Sequence, residues 1–208
     1  MRDPNQPEQL IMPGQFIPVA EKNGQILDID RWVVRKTIEL LANDVNMPPL
    51  AINISGRSFD EPSLPQYIRK LLMELNVEPS RLIIELTETA AVSDIKDAQR
   101  FIEAIHQSGC KVCLDDFGSG FSTFGYLKYL GVEILKIDGS FISDLPNNRD
   151  NQIFVKAMVE VARGHGKITV AEFVEDEATF NMIRNLGIDM AQGYYLGRPK
   201  LEIPITPN

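Results

Sequence analysis

Cysteine and histidine are scarce in this chain, two of each in 208 residues. Such scarcity leaves no material for a disulfide framework and little for a zinc centre. Cys110 and Cys113 do spell a C-x-x-C. Residues three apart on an extended segment face opposite ways, however, there is no second pair, and His106 and His165 are too scattered to complete a tetrahedral site. Both are expected to be reduced, structural cysteines. No apolar run approaches the roughly 18 residues of a membrane span, and the opening "MRDPNQPEQL" has neither the charged n-region nor the apolar h-region of a secretion signal, so a cytosolic chain is expected. Positive charge is short as well. The net charge of −8 argues against a protein that grips a DNA or RNA polymer through a broad basic surface. A small anionic ligand would need a metal or a few placed cations.

What is present is a rhythm. After a Pro-rich, polar opening, helical patterns alternate with short apolar runs. "ILDIDRWVVRKTIELL" has Ile29, Trp32, Val33 and Leu40 near a 3.6 period, which predicts a helix burying that stripe. A second helix places Leu64, Ile68, Leu71, Leu72 and Leu75 together. A third, "DIKDAQRFIEAIHQSG", turns Ile95, Ala98, Phe101, Ile102 and Ile105 inward, stops at Gly109 and leaves His106 at the surface. Met182 and Met190 read as core. Six strands are predicted, around 50–55, 82–88, 111–117, 134–138, 168–174 and 190–196. Strand alternating with helix implies parallel βα units in an α/β protein, and apolar runs of this kind suit a sheet covered on both faces. An open doubly wound sheet and a (β/α)₈ barrel both fit; the barrel would be two strands short.

The strand ends carry the chemistry. In "KVCLDDFGSGFS" a buried run passes into two adjacent acids and then a Gly-Ser-Gly turn, so Asp115 and Asp116 sit where strand becomes loop. Period-two alternation takes Asn53 off the apolar face of its strand, and it groups Glu85 with Ile83 and Thr87, Lys136 with Ile134 and Asp138, and Glu172 with Val170 and Val174. With Glu175 and Gln192 these residues form a polar ring at the C-terminal mouth of the strands, where such folds place their sites. Acid pairs at strand ends also cap helices or meet surface arginines; several matching strand ends argue for a shared site instead. Five carboxylates against one lysine leave about −4 if all are ionised, a charge that must be protonated, paired or bound to metal. Two divalent ions would neutralise it. An all-oxygen donor set favours Mg²⁺ or Mn²⁺ over zinc, and two such ions sharing a carboxylate are a recurrent device for hydrolysing phosphate esters.

Six stretches, "FIPVAEKNGQILDIDRWV", "LAINIS", "IIELTE", "LDDFGSGFSTFGYLKYLGVEILKIDGSF", "VAEFVE" and "AQGYYLGRP", follow one another as the motifs of the EAL domain do. The chain resembles that family, the bacterial cyclic-di-GMP phosphodiesterases, over residues 16–199. The resemblance implies an EAL-type modified TIM (β/α)₈ barrel, here lacking about its first two strands, with a polar lead-in over 1–15 and a tail over 200–208. It implies hydrolysis of cyclic-di-GMP to the linear dinucleotide pGpG with two Mg²⁺ or Mn²⁺ ions. By position, Asn53, Glu85 and Asp115 match metal ligands, Asp115 bridging and Asp116 serving the second ion. Lys136 matches the lysine at the nucleophilic water, Glu172 a ligand of the second metal also proposed as general base, and Gln192 a further active-site polar group. Glu175 matches the acid that steadies the loop over 117–124. A homodimer, and an upstream sensor or GGDEF domain in a larger and even membrane-anchored protein, belong to the same expectation.

Two departures stand out. The family's "AEGVE" is "AEFVE" here, and alternation predicts that Phe173 faces away from Glu172. No "EAL" triplet occurs, so the first ion would lack the ligand that its glutamate supplies, and hydrolysis by this chain is expected to be impaired. A receptor that binds cyclic-di-GMP without cleaving it, or a protein-interaction module, is the alternative reading; an enolase-type Mg²⁺ barrel fits the adjacent acids and the motif order poorly.

Overall fold

The computed structural model describes residues 11–120 and 124–199. Six strands, β1 (Leu50–Asn53), β2 (Leu82–Thr87), β3 (Lys111–Phe117), β4 (Ile134–Ile137), β5 (Ile168–Ala171) and β6 (Met190–Ala191), form one sheet in sequential order. Every pairing is parallel. The result is a half-barrel with β1 and β6 at its two edges, and all six predicted strands are present.

Helices join the strands. α1 (Pro13–Asn23) and α2 (Ile26–Asn43) precede β1, and α3 (Ser63–Glu74) follows it. α4 (Glu88–Ser93) and α5 (Ile95–Gln107) separate β2 from β3, α6 (Gly139–Ile142) and α7 (Arg149–Gly164) lie between β4 and β5, and α8 (Glu177–Leu186) leads to β6. Their starts are written locally: Asp94, Asn148 and Asp176 each accept the backbone N–H three residues on, satisfying a donor that the helix leaves free. α8 ends on Gly187, whose φ of 79° is the left-handed geometry glycine takes without strain.

The sheet has two unlike faces. The outer one, with Ile52, Ile84, Leu86, Val112, Leu114, Leu135 and Ile137, packs into the main core against α2, α3, α5 and α7. Burial of each such side chain stabilises by about 1.5–3 kcal/mol. On the inner face Ile83, Cys113, Ile134 and Val170 form a small separate layer below the polar mouth. Cys110 joins the outer core and Cys113 the inner layer; both are free and buried, as expected. Burial raises both thiol pKa values, that of Cys110 to about 12, so neither is a ready thiolate.

Several expectations about packing need correction. α2 buries Ile26, Asp30, Val34, Ile38 and Leu41, not the stripe predicted from Ile29, Trp32, Val33 and Leu40; Trp32 is 61% exposed and Leu40 48%. Both stripes have helical spacing, and only the sheet decides which one faces in. Met190 is 56% exposed because β6 is an edge strand, while Met182 packs partly against the core. His106 is half-buried rather than on the surface, its Nε2 2.9 Å from Glu133 Oε1. α1 starts at Pro13, inside the stretch expected to be a lead-in; residues 1–10 and the expected tail over 200–208 lie outside the described residues.

Candidate active site

Parallel register brings the polar ends of neighbouring strands level. Asn53 on β1 pairs with Glu85 on β2, and Thr87 on β2 with Asp115 on β3. Between β3 and β4 the register slips over Leu114 to Phe117, and Asp116 adopts φ 57°, an unusual left-handed conformation for a non-glycine. The extra residue lets both adjacent acids reach the mouth while Leu114 and Phe117 stay fully buried behind them. Alternation alone would have sent one of the two acids into the core.

Lys136 is the hub of the arrangement. Its Nζ lies 2.8 Å from Glu172 Oε1, 2.9 Å from Asp115 Oδ1 and 3.6 Å from Glu85 Oε1, joining β2, β3, β4 and the end of β5. Burial opposes its charge, but the hydrogen bonds to Glu172 and Asp115 win and raise its pKa, so it is a fixed cation. Burial raises the pKa values of Glu85, Asp116 and Glu172, with neighbouring carboxylates adding to the effect and Lys136 opposing it. One lysine does not neutralise the group.

Asp115, Asp116 and Glu172 each offer a carboxylate oxygen within 4.8 Å of the others. Oxygen donors so close together, on groups whose charge is undercompensated, suit a hard divalent cation: ligands across an octahedral Mg²⁺ stand about 4 Å apart, a rotamer-scale adjustment from this geometry. Asn53 and Glu85 border the cluster on the β1 and β2 side. On the other flank Glu172, Phe173, Glu175, Gln192, Gly193 and Tyr194 line a cleft. Gly193 is required there, since a Cβ on it would lie 2.2 Å from the carbonyl oxygen of Val174.

One residue differs from expectation. Strand β5 ends at Ala171, and Phe173 takes φ 53°, so alternation no longer applies; its ring lies over Gly139 and lines the cleft beside Glu172 instead of facing away. Glu175 is exposed in that same cleft. Among the described residues, the acid bonded to the loop after β3 is Glu88, fully buried at the start of α4: Oε2 accepts from the N–H of Gly118 at 2.9 Å and of Gly120 at 3.3 Å, and Oε1 accepts from the Tyr126 hydroxyl. The sequence reading missed Glu88. Its signal was an acid closing "ELTE" with no basic neighbour, ahead of a glycine-rich loop with free N–H groups. Residues 121–123 of that loop lie outside the described residues.

The family model described as the EAL domain matches residues 1–199. The chain belongs to the EAL domain family. It is similar to the cyclic di-GMP phosphodiesterase PdeF of Escherichia coli K12, 36% identical over 196 residues that make up 93% of this chain and 26% of the relative. The chain spans about a quarter of the length of the curated relatives it matches first. Among solved EAL structures, the PaMucR phosphodiesterase in complex with c-di-GMP is 37% identical, with a TM-score of 0.86 over 91% of this chain and 84% of that one. The FimX EAL domain from Pseudomonas aeruginosa, bound to c-di-GMP, is 30% identical with a TM-score of 0.89, over 96% and 81%. The half-barrel of this EAL chain is thus the family's fold, and its acidic cluster occupies the mouth that the fold leaves open.

Proposed function

We propose that this chain is an EAL-type phosphodiesterase module for hydrolysis of one phosphodiester bond of cyclic-di-GMP to pGpG, with turnover impaired because the glutamate of the EAL triplet, a ligand of the first ion, is not in this sequence. The observation that carries the reading is the carboxylate cluster of Asp115, Asp116 and Glu172 around the buried Lys136, in a chain of this family. Asn53, Glu85, Asp115, Asp116 and Glu172 would hold two ions, Mg²⁺ or Mn²⁺, with Asp115 shared. Bound there, the ions would supply Lewis acidity toward the phosphate and lower the pKa of a water. Lys136, held as a cation by its acidic neighbours, orients the attacking water and stabilises by its charge and N–H groups the negative charge that grows on the phosphate. Glu172, whose carboxyl is raised by burial, is placed to accept a proton as the water attacks. Gln192 supplies a polar contact to the ligand on the β6 flank, and Glu175, in the same cleft, serves to steady the loop over 117–124. Residues 16–199 form the functional unit, which acts in the cytoplasm as a homodimer and belongs with an upstream sensor or GGDEF domain.

A receptor that binds without cleaving has one observation in its favour. Lys136 already bridges Glu85, Asp115 and Glu172, so part of the ring's charge is balanced without any ion. Chromatographic separation of cyclic-di-GMP from pGpG, with Mg²⁺, with Mn²⁺ and with excess chelator, decides between them. Slow, metal-dependent pGpG formation that Asp115→Asn abolishes is the expected result. Calorimetric binding of cyclic-di-GMP with no cleavage under any condition would establish the receptor, and absence of both binding and cleavage would remove both readings.

A further inference from the structure

Asp30 is the one charged residue on the buried face of α2, which otherwise carries Ile26, Val34, Thr37, Ile38 and Leu41. It lies one helical turn from Ile26 and from Val34 on the buried side of α2 and is 4% exposed. Among the described residues no lysine or arginine pairs with it; Arg31, next in the chain, turns to Ser63 and Glu61. An unpaired buried carboxylate is costly, and this one is held only by hydrogen bonds. Its Oδ2 accepts from the Ser58 hydroxyl at 2.6 Å and from the Ser55 N–H at 3.2 Å. Glu21 of α1 completes the arrangement by accepting from the Ser55 hydroxyl at 2.8 Å, and that hydroxyl in turn accepts from the N–H of Arg57. Burial pushes the Asp30 pKa up to about 6 against these donors.

The place held in this way is the turn leaving β1. In a parallel pair alternate residues address the neighbouring strand. Ile54 donates its N–H to Glu85 O at 3.0 Å, so the N–H groups of Asn53 and Ser55 point to the open edge. An edge donor near the core must find a partner or remain costly. Asp30 takes the one at Ser55, two residues beyond Asn53.

We propose that Asp30, assisted by Glu21, is a positioning residue for Asn53: the two carboxylates lock the turn over residues 54–58 from the side that β2 does not support, and so fix the end of β1 at the mouth. The proposal rests on the reading of Asn53 as a metal ligand. Residues that orient a ligand from behind commonly govern metal affinity by about ten- to a hundredfold. Asn53 needs such support more than Asp115 or Glu172, because among the described residues only one neighbouring strand holds it.

The test combines amide hydrogen exchange over residues 53–58 of the metal-free chain with direct Mn²⁺ titration followed by electron paramagnetic resonance. Asp30→Ala is expected to speed exchange at Ser55 and Arg57 by about tenfold and to weaken Mn²⁺ binding by a similar factor. Asp30→Asn, which keeps an acceptor oxygen, is expected to show no loss in either. If Asp30→Ala does not fold, Ser58→Ala removes one donor to the same carboxylate and is expected to accelerate exchange at Ser55 and Arg57 alone. Unchanged exchange in a folded Asp30→Ala, or in Ser58→Ala where the former does not fold, overturns the positioning role. So does equal loss in Asp30→Asn and Asp30→Ala, which would make the charge, not the hydrogen bonds, the cause. A wild-type chain that binds no Mn²⁺ overturns the metal reading of Asn53 instead, and the exchange result still decides whether Asp30 orders the turn.

Discussion

Lys136, on a strand paired on both sides, touches carboxylates from three other strand ends, whereas Asn53 and Gln192 stand at the two edges of the sheet with no side-chain partner among the described residues. The centre of the mouth is held by charge and by neighbours on both sides. The flanks are held by backbone: the carboxylate-locked turn after β1, and the close contact of Gly193 with Val174 after β6. The difference teaches where each kind of substitution should act. Changes of charge should be severe at the centre, and changes of backbone freedom should matter at the edges.

The largest effect is expected from Lys136→Met. Removing one partner of a buried charge group leaves the others uncompensated, a loss of about 3–5 kcal/mol. Glu85 and Glu172 already have raised pKa values through burial and their acidic neighbours. Acids with raised folded-state pKa values contribute stability that is fully present below the unfolded value and lost as pH rises through the folded one. The variant should therefore be most destabilised at pH 8 and recover toward pH 5, and Mn²⁺ should restore part of the loss. Thermal unfolding at the two pH values, with and without Mn²⁺, checks this; a pH-independent loss would mean that packing of the lysine stem dominates.

Next comes Glu88→Ala. It removes the acceptor of the Gly118 and Gly120 N–H groups and strands the buried Tyr126 hydroxyl, at about 1–3 kcal/mol for the unsatisfied buried group. Because the loop follows Asp116 directly, amide exchange at Gly118 and Gly120 should rise while exchange in β5 and β6 stays as it was. Protection retained at Gly118 and Gly120 would show that the loop is held from elsewhere.

Why Glu88 escaped notice, while Glu85 three residues earlier did not, is a matter of range. Apolar runs bounded by turns marked all six strands, and period two marked Asn53, Glu85, Lys136 and Glu172, because a strand's side-chain direction is a local property. Glu88 works through a loop 30 residues on. The inward face of α2 is likewise settled by a sheet that comes later in the chain, and with two apolar stripes the helical period did not choose between them. Phe173 was misplaced for the opposite reason: the rule of alternation was sound, but the strand had already ended at Ala171.

Asp30 provides a smaller, pH-dependent effect on the β1 flank. With its folded pKa raised to about 6 from 3.8, its contribution is fully present below about pH 3.8 and fades as pH rises through about 6. Asp30→Asn removes this titration while keeping an acceptor. The variant should gain on wild type between pH 5 and pH 8 by about 1–3 kcal/mol, the upper end being the full shift. Parallel pH–stability curves for the two proteins would place the titration elsewhere.

The smallest effect is expected at Phe173, and it discriminates most finely between a flank governed by backbone and a centre governed by charge. Phe173 holds φ 53°, which costs a side-chain-bearing residue about 1–2 kcal/mol, and its ring, 59% exposed, gains only partial burial over Gly139. Phe173→Gly gives up that contact but releases the strain, so its net change should stay within about 1 kcal/mol, equivalent to about 2–4 °C in Tm for a chain of this size. Phe173→Ala loses the same ring and keeps the strain, and should be the less stable of the two by about 1 kcal/mol. Neither touches the contacts of Lys136, so Mn²⁺ affinity should be alike in both. If alanine proves as stable as glycine at this position, the left-handed turn is not what residue 173 has to supply, and the β6 flank must be held by the glycine at 193 alone.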